Sequence, residues 1–448
     1  MARRSGGLRR RLSSAAPSGL GRVATKTKGD AMPAGISDRF PRYTAFEPLV
    51  PVWCVTPEGG PAIHRFFDTS PFSPSGRYMG LTRFPFEDRL PKPGDTAEIL
   101  LVDLETGGER VVADTRGWDT QLGAQVQWGA NDSQLFFNDV DTATWMPFAV
   151  CLDPLAGTRR KLEGTVYMAS PDGTRLASPC LRRTGLTQAG YGVVVPRDRV
   201  PRNRGASPDD GLYVTDTATG RCELLVSFAQ ILEAAVPPLP AEDYTDGDFY
   251  GFHVKWNPQG TRLMLVLRWV PHDGSRVWPH VVTMAADGSD IRIAMPAATW
   301  LKGGHHPNWC PDGEHVMMNL KLDGRRLRFV QARRDGTGLR AMTEAVLGSG
   351  HPTLHPNGRH ILTDSYVKEP VAFGDGTTPI RLVDLEEGTE RCLVRIRTVP
   401  AWNGPKGELR VDPHPAWDHA HRRIAFNACP DGSRRVFVAD LAGVLGSD

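Results

Sequence analysis

A seven-bladed β-propeller is the fold this sequence predicts, and three observations predict it. A tight turn recurs seven times, at Ser73–Gly76, Gly129–Asp132, Ser170–Gly173, Asn257–Gly260, Cys310–Gly313, His355–Gly358 and, in degenerate form, Asp418–His421. A second turn follows each in step: DLETGG, DPLAGT, DTATGR, AADGSD, RRDGTG, DLEEGT and DLAG. Between turns, segments such as GLYVTD and RRVFVAD alternate and favour β-branched and aromatic residues, as half-buried strands do. Pro presets φ and Gly or Asn accepts φ > 0, so each turn reverses the chain in few residues. Seven such units with no helical repeat between them form a ring of four-stranded blades. A sandwich of hairpins does not account for the seven-fold period.

Composition agrees, with 40% hydrophobic and 23% charged residues and 47 Gly and 37 Pro to supply turns. No apolar run reaches the roughly 18 residues of a membrane span, so no membrane partner is expected. The net charge of +2, less the eight Arg and Lys of residues 1–29, leaves −6 for the rest. Residues 1–40 therefore read as a disordered basic arm and 41–448 as one propeller domain. Arms of this composition are usually only solvated, so nucleic acid is not the expected partner. Paired arginines open the chain without an apolar stretch behind them, and the seven cysteines form no C-x-x-C pair. Both point to a reduced, cytoplasmic protein with neither a disulfide framework nor a zinc cluster.

The last unit ends at DLAGVLGSD without a fourth strand. The apolar segment Leu49–Val55 precedes the first unit and lacks a partner, so it is predicted to pair with Arg435–Ala439 and close the ring. With the innermost strand first in each blade, the Pro-containing turns lie on one face. The long insertions Thr184–Asp210, Val226–Tyr250, Val270–Trp278, Val367–Thr378 and Arg395–Val411 all lie on the other. Long loops gathered on one face build a binding surface.

Five residues before the Pro position of each turn, the series reads Thr69, Gln125, Val166, His253, His306, His351, His414. Four consecutive blades thus offer His at one radial position of the channel, from only 13 His in the chain. Converging imidazoles suit a divalent metal, a general base, or both. Asp412, two residues before His414, faces the same side and is a candidate carboxylate ligand.

The blades resemble the TolB type. The histidines in FHVKWNPQG, GHHPNWCPDG, SGHPTLHPNG and VDPHPAW resemble those of the seven-bladed propeller polysaccharide lyases, of oligogalacturonate or ulvan type. The resemblance implies β-elimination on a uronic-acid-containing oligosaccharide, in which a base removes the proton α to the carboxylate and the 4-linked group departs. It implies His253 as base, with His306, His351 and His414, joined by Asp412, around a divalent metal such as Mn, Zn or Ca. Tyr167 and Arg183 match the proton carrier and carboxylate clamp of the ulvan type. Arg268 and, in the second blade, Gln121, Gln125 and Asn138 are the candidate substrate contacts. That blade departs from the ulvan type in having no His, and a Gln there cannot act as a base. The alternative is a non-catalytic TolB-like propeller that binds a protein or a sugar.

Overall fold

A computed structural model of the chain describes residues 36–405 and 407–445. It contains seven four-stranded antiparallel sheets. In blades 1 to 6 the strands pair in chain order, for example Ala62–Ile63, Tyr78–Arg83, Ala97–Asp103 and Glu109–Thr115 in blade 1. In blade 2 the first strand, Gln127–Trp128, is short and buried and the fourth, Thr158–Lys161, faces solvent, whereas the first strand of blade 4, Gly247–Trp256, runs ten residues and is buried throughout. Blade 7 is built from Ala416–Trp417, Arg423–Ala428, Arg435–Asp440 and, on its outer edge, Val52–Cys54. The pairing Val52↔Ala439, Trp53↔Val438 and Cys54↔Phe437 closes the ring as the unpaired apolar segment predicted. It also covers an edge that would otherwise expose unpaired backbone groups.

Most of the expected arm, residues 1–35, lies outside the described residues. Its last part does not behave as an arm. Ile36–Asp38 form a 3₁₀ turn, and Phe40 is buried in a cluster with Trp53, Phe72 and Met79. The packed body therefore includes residues 36–40, and the boundary expected at 41 is too late.

The insertions carry structure of their own. Leu181–Thr187 and Phe228–Ala234 are short helices. The second starts from a capping box, in which the Ser227 side chain accepts from the Gln230 N–H and the Gln230 side chain accepts from the Ser227 N–H.

Blade 1 holds the feature that repeat periodicity hid. Ala62 and Ile63 pair with Arg83 and Thr82, and Phe72 bridges to Met79, but the chain between them leaves the sheet. His64, Arg65, Phe66 and Phe67 are all at most 2% exposed, and Phe66 reaches the rings of all four serial histidines at centroid distances of 4.6–6.3 Å. The channel is thus plugged. Burying such phenyl groups contributes about 1.5–3 kcal/mol each.

Candidate active site

The serial residues leave the regular strand geometry, and this turns them toward the axis. Gln125, His306 and His414 have φ of 60°, 59° and 50°, a left-handed conformation uncommon outside glycine. In blade 6 the preceding residue, Gly350, takes that conformation at 60°, and a β-carbon there would collide with Asp364. Blades 4 and 5 slip register between Gly251 and Val254 and between His305 and Asn308, so the strands bulge where their histidines sit.

Ligand atoms of His351, Asp412 and His414 lie within 4.8 Å of one another, all buried. His351 Nδ1 donates to Asp364 at 2.9 Å, which leaves Nε2 as the acceptor, and that atom is buried without a partner. Both ring nitrogens of His414 are likewise buried and unpartnered. Burial first, then His351 and His64, holds the His414 imidazole well below its ordinary range, so it stays neutral. Imidazole nitrogens left unpartnered beside a carboxylate fit a divalent cation, and a carboxylate behind a ligating His is the usual support for one. His306 stacks on His351 at 3.8 Å between centroids but stands outside that group of ligand atoms. Its Nδ1 donates to the Gly350 carbonyl at 2.6 Å, and its Nε2 accepts from the Tyr366 hydroxyl at 3.1 Å.

Next to this group a cavity of about 360 Å³ opens on the face that carries the long loops. His253, Tyr191, Arg268, Arg276, Tyr366 and Arg410 are in its wall, and among the described residues no Asp or Glu lines it. The Arg268 guanidinium carbon stands over Phe252, 3.4 Å from the ring centre, and the group is aligned by Thr187 Oγ1 and Gln188 Oε1 at 3.1 and 2.9 Å. Burial pushes its guanidinium down to about 10, which leaves it charged at neutral pH. Arg410 donates to Asp412 at 2.8 Å and to the Tyr191 hydroxyl oxygen at 3.0 Å. His253 stacks on Phe66, and its Nδ1 is hydrogen-bonded to the Tyr167 hydroxyl. Burial, then Lys255 and Arg268, depresses its pKa well below the usual histidine value.

The other expected contacts are placed differently. Arg183 was expected to clamp a carboxylate, but it sits on the 181–187 helix and pairs with Asp210 at 3.1 Å, outside the cavity wall. Asn138 is fully buried and bonded both ways to the Val166 backbone, so it joins blade 2 to blade 3. Gln125 Oε1 accepts from Arg65 Nε at 2.6 Å, and Gln121 donates to the Glu408 carbonyl at 2.7 Å. Both are 2–4% exposed. Tyr167 lies behind His253, not in the cavity wall, and burial raises its pKa well above the phenol value. Of the long insertions, 226–250 contributes no residue to the wall, whereas 187–191 and 276–279 do.

Sequence reasoning missed the support beneath the site. Asp68 of the plug pairs with Lys255 and Arg65, both at 2.8 Å, and the three side chains are about 1% exposed. Burial disfavours the Asp68 charge, but Lys255 and Arg65 more than offset this and hold its carboxyl below the usual range. Lys255 carried a signal, being two residues after His253 on one strand. Asp364 and the residues of the plug carried none, because nothing in the repeat relates them to the histidines.

No family model and no curated protein matches the chain. Solved structures do. An oligogalacturonate lyase in complex with manganese superposes with a TM-score of 0.62 at 17% identity, over 91% of this chain and 97% of that one. An oligogalacturonate lyase from Vibrio parahaemolyticus gives 0.59 at 14%, over 90% and 96%. TolB from Acinetobacter baumannii gives 0.39 at 11%, over 81% and 79%. At these identities the two lyases share the fold with this chain.

Proposed function

We propose that the chain is a metal-assisted lyase that cleaves uronic-acid-containing oligosaccharides by β-elimination. One observation carries the proposal: a cavity walled by three arginines and His253, with no acid among the described residues, has in its wall the neighbours His306 and Arg410 of a buried His351–Asp412–His414 group, in which His351 Nε2 and both His414 ring nitrogens have no hydrogen-bond partner. An arginine-lined, acid-free cavity suits an anionic sugar. A divalent cation held by His351, Asp412 and His414 would help neutralise the sugar carboxylate and so acidify the neighbouring C–H.

The chain's own residues do the rest. Arg268, already aligned by Thr187 and Gln188, takes the carboxylate. His253 takes the α-proton on Nε2, which requires Nδ1 to carry a proton and donate it to the Tyr167 oxygen. Its depressed pKa keeps that nitrogen unprotonated at neutral pH. Tyr167 is then the residue that orients the base. The proton for the departing oxygen comes from Tyr191, whose oxygen accepts from Arg410 and whose O–H therefore points elsewhere. Elemental analysis of the purified protein, with an absorbance assay for 4,5-unsaturated product on a panel of oligouronides, tests the proposal. Protein with neither metal nor product from any uronide would turn it toward a binding propeller.

A further inference from the structure

A second cavity, of about 280 Å³, opens on the same face over blades 5 and 6. It is walled by the connection between the second and third strands of blade 5, by residues 347–349 leading into blade 6, and by residues 368–371. Four cations line it, Lys321, Arg325, Arg326 and Lys368, against one carboxylate, Glu369. That carboxylate is engaged: it accepts from the Ser349 hydroxyl and from the Tyr366 N–H at 3.2 Å, and lies 3.6 Å from His305 Nε2. Among the described residues, none of the four cationic side chains has an ion pair or hydrogen bond. The nearby Asp323 accepts from the Arg325 and Arg326 N–H groups and offsets part of the Arg325 charge through space, without a direct ion pair. An excess of like charges gathered in one concavity, four cations against one carboxylate already engaged, raises the local potential for an anion.

The two cavities share a wall. His305 lines the first and Glu369 the second, and the two are in contact. Lys321 lies along Gly303, where a β-carbon would meet its Cδ at 2.9 Å, and Gly304 lines the first cavity. A chain-like anion that crossed this wall would pass from the first cavity to the second.

We propose that the second cavity binds a further carboxylate of the same oligouronide, on a sugar unit away from the bond that is cut. This rests on the lyase reading for its substrate class, and it specifies a polymer acidic on more than one unit. The four cations touch no reacting atom; they set affinity for longer chains.

The test uses the full-length protein and galacturonate oligomers from the dimer to the hexamer. Calorimetric titration gives Kd, and the unsaturated product gives kcat/KM, for wild type, R325E/R326E and R325Q/R326Q. Arg325 and Arg326 are exposed, so both double variants should fold, which circular dichroism checks. In wild type, affinity should rise with length, and the rise should shrink in high salt. In R325E/R326E the gain should fall about fivefold or more, as expected for losing two exposed ion pairs, with dimer affinity unchanged. R325Q/R326Q should lie between. Affinity independent of length, or a length gain that survives R325E/R326E, would overturn the proposal. Length-dependent binding that the variant abolishes, without elimination by any protein, would support this cavity and remove the lyase reading. Elimination with equal kcat/KM in all three proteins at every length would do the reverse.

Discussion

The ring of inner positions divides into two arcs that share one backbone plan and differ in what their polar atoms do. In blades 1 to 3 the residues at or beside these positions satisfy one another. Gln125 accepts from Arg65, Gln127 donates to the Tyr167 carbonyl at 3.2 Å, and Asn138 pairs with the Val166 backbone. In blades 4 to 7 the same level carries imidazoles, and His351 and His414 keep buried nitrogens without partners. Leaving such a group unpaired costs about 1–3 kcal/mol, so the first arc is built for cohesion and the second gives up cohesion, as the proposed cation would require. The plug belongs to both. Arg65 ties it to the first arc, and Phe66 packs against the histidines of the second.

The largest effect should separate the arcs by activity. His253→Ala should lower the elimination rate about 10²- to 10⁴-fold with unchanged metal content. Gln125→Ala, at the matching position, should lower the thermal midpoint and largely spare the rate. Equal loss of activity in both would erase the distinction. Next comes the plug: Asp68→Ala leaves Lys255 and Arg65 buried without their carboxylate and should cost roughly 3–5 kcal/mol in urea unfolding. A loss under about 1 kcal/mol would mean that water reaches that pair.

A histidine outside both arcs supplies a control. His280 accepts from the Ala297 N–H on Nδ1 and donates from Nε2 to the Tyr244 hydroxyl, and burial pushes its pKa down to about 4. The unfolded chain takes up that proton near pH 6.5, the folded one only near pH 4. Stability from this group is therefore complete above about pH 6.5 and lost as pH falls toward 4, by up to about 3 kcal/mol. The difference between wild type and His280→Gln in unfolding free energy should shrink across that window; a constant difference would assign the pH dependence elsewhere. The smallest effect expected is on metal. Asp364→Asn, behind His351, should weaken metal affinity about 10- to 100-fold, measured by competition with a chelating dye. Unchanged affinity would place the cation away from His351.

The fold was legible because a propeller is a repeat: each blade writes its turns and alternation locally, and seven copies state the architecture and its closing strand. The His series was legible for the same reason, since register within a repeat converts to position around a channel. Its contacts were not. Arg183 and Asn138 are of types that suit substrate binding, yet Asp210 and the Val166 backbone take them up, and only three-dimensional packing could show that.

By itself, then, the sequence determined the seven blades, the closure through Val52–Cys54 and the ring of four histidines, all properties of periodicity and local turn chemistry. Tertiary structure alone decided which of those histidines keep free nitrogens, that Phe66 and Phe67 plug the channel with an Asp68–Lys255–Arg65 ion triad beside them, and that the cavity is walled by Arg268, Arg276 and Arg410. Those outcomes depend on side chains that meet from blades far apart in the chain, where no local pattern links one partner to the other.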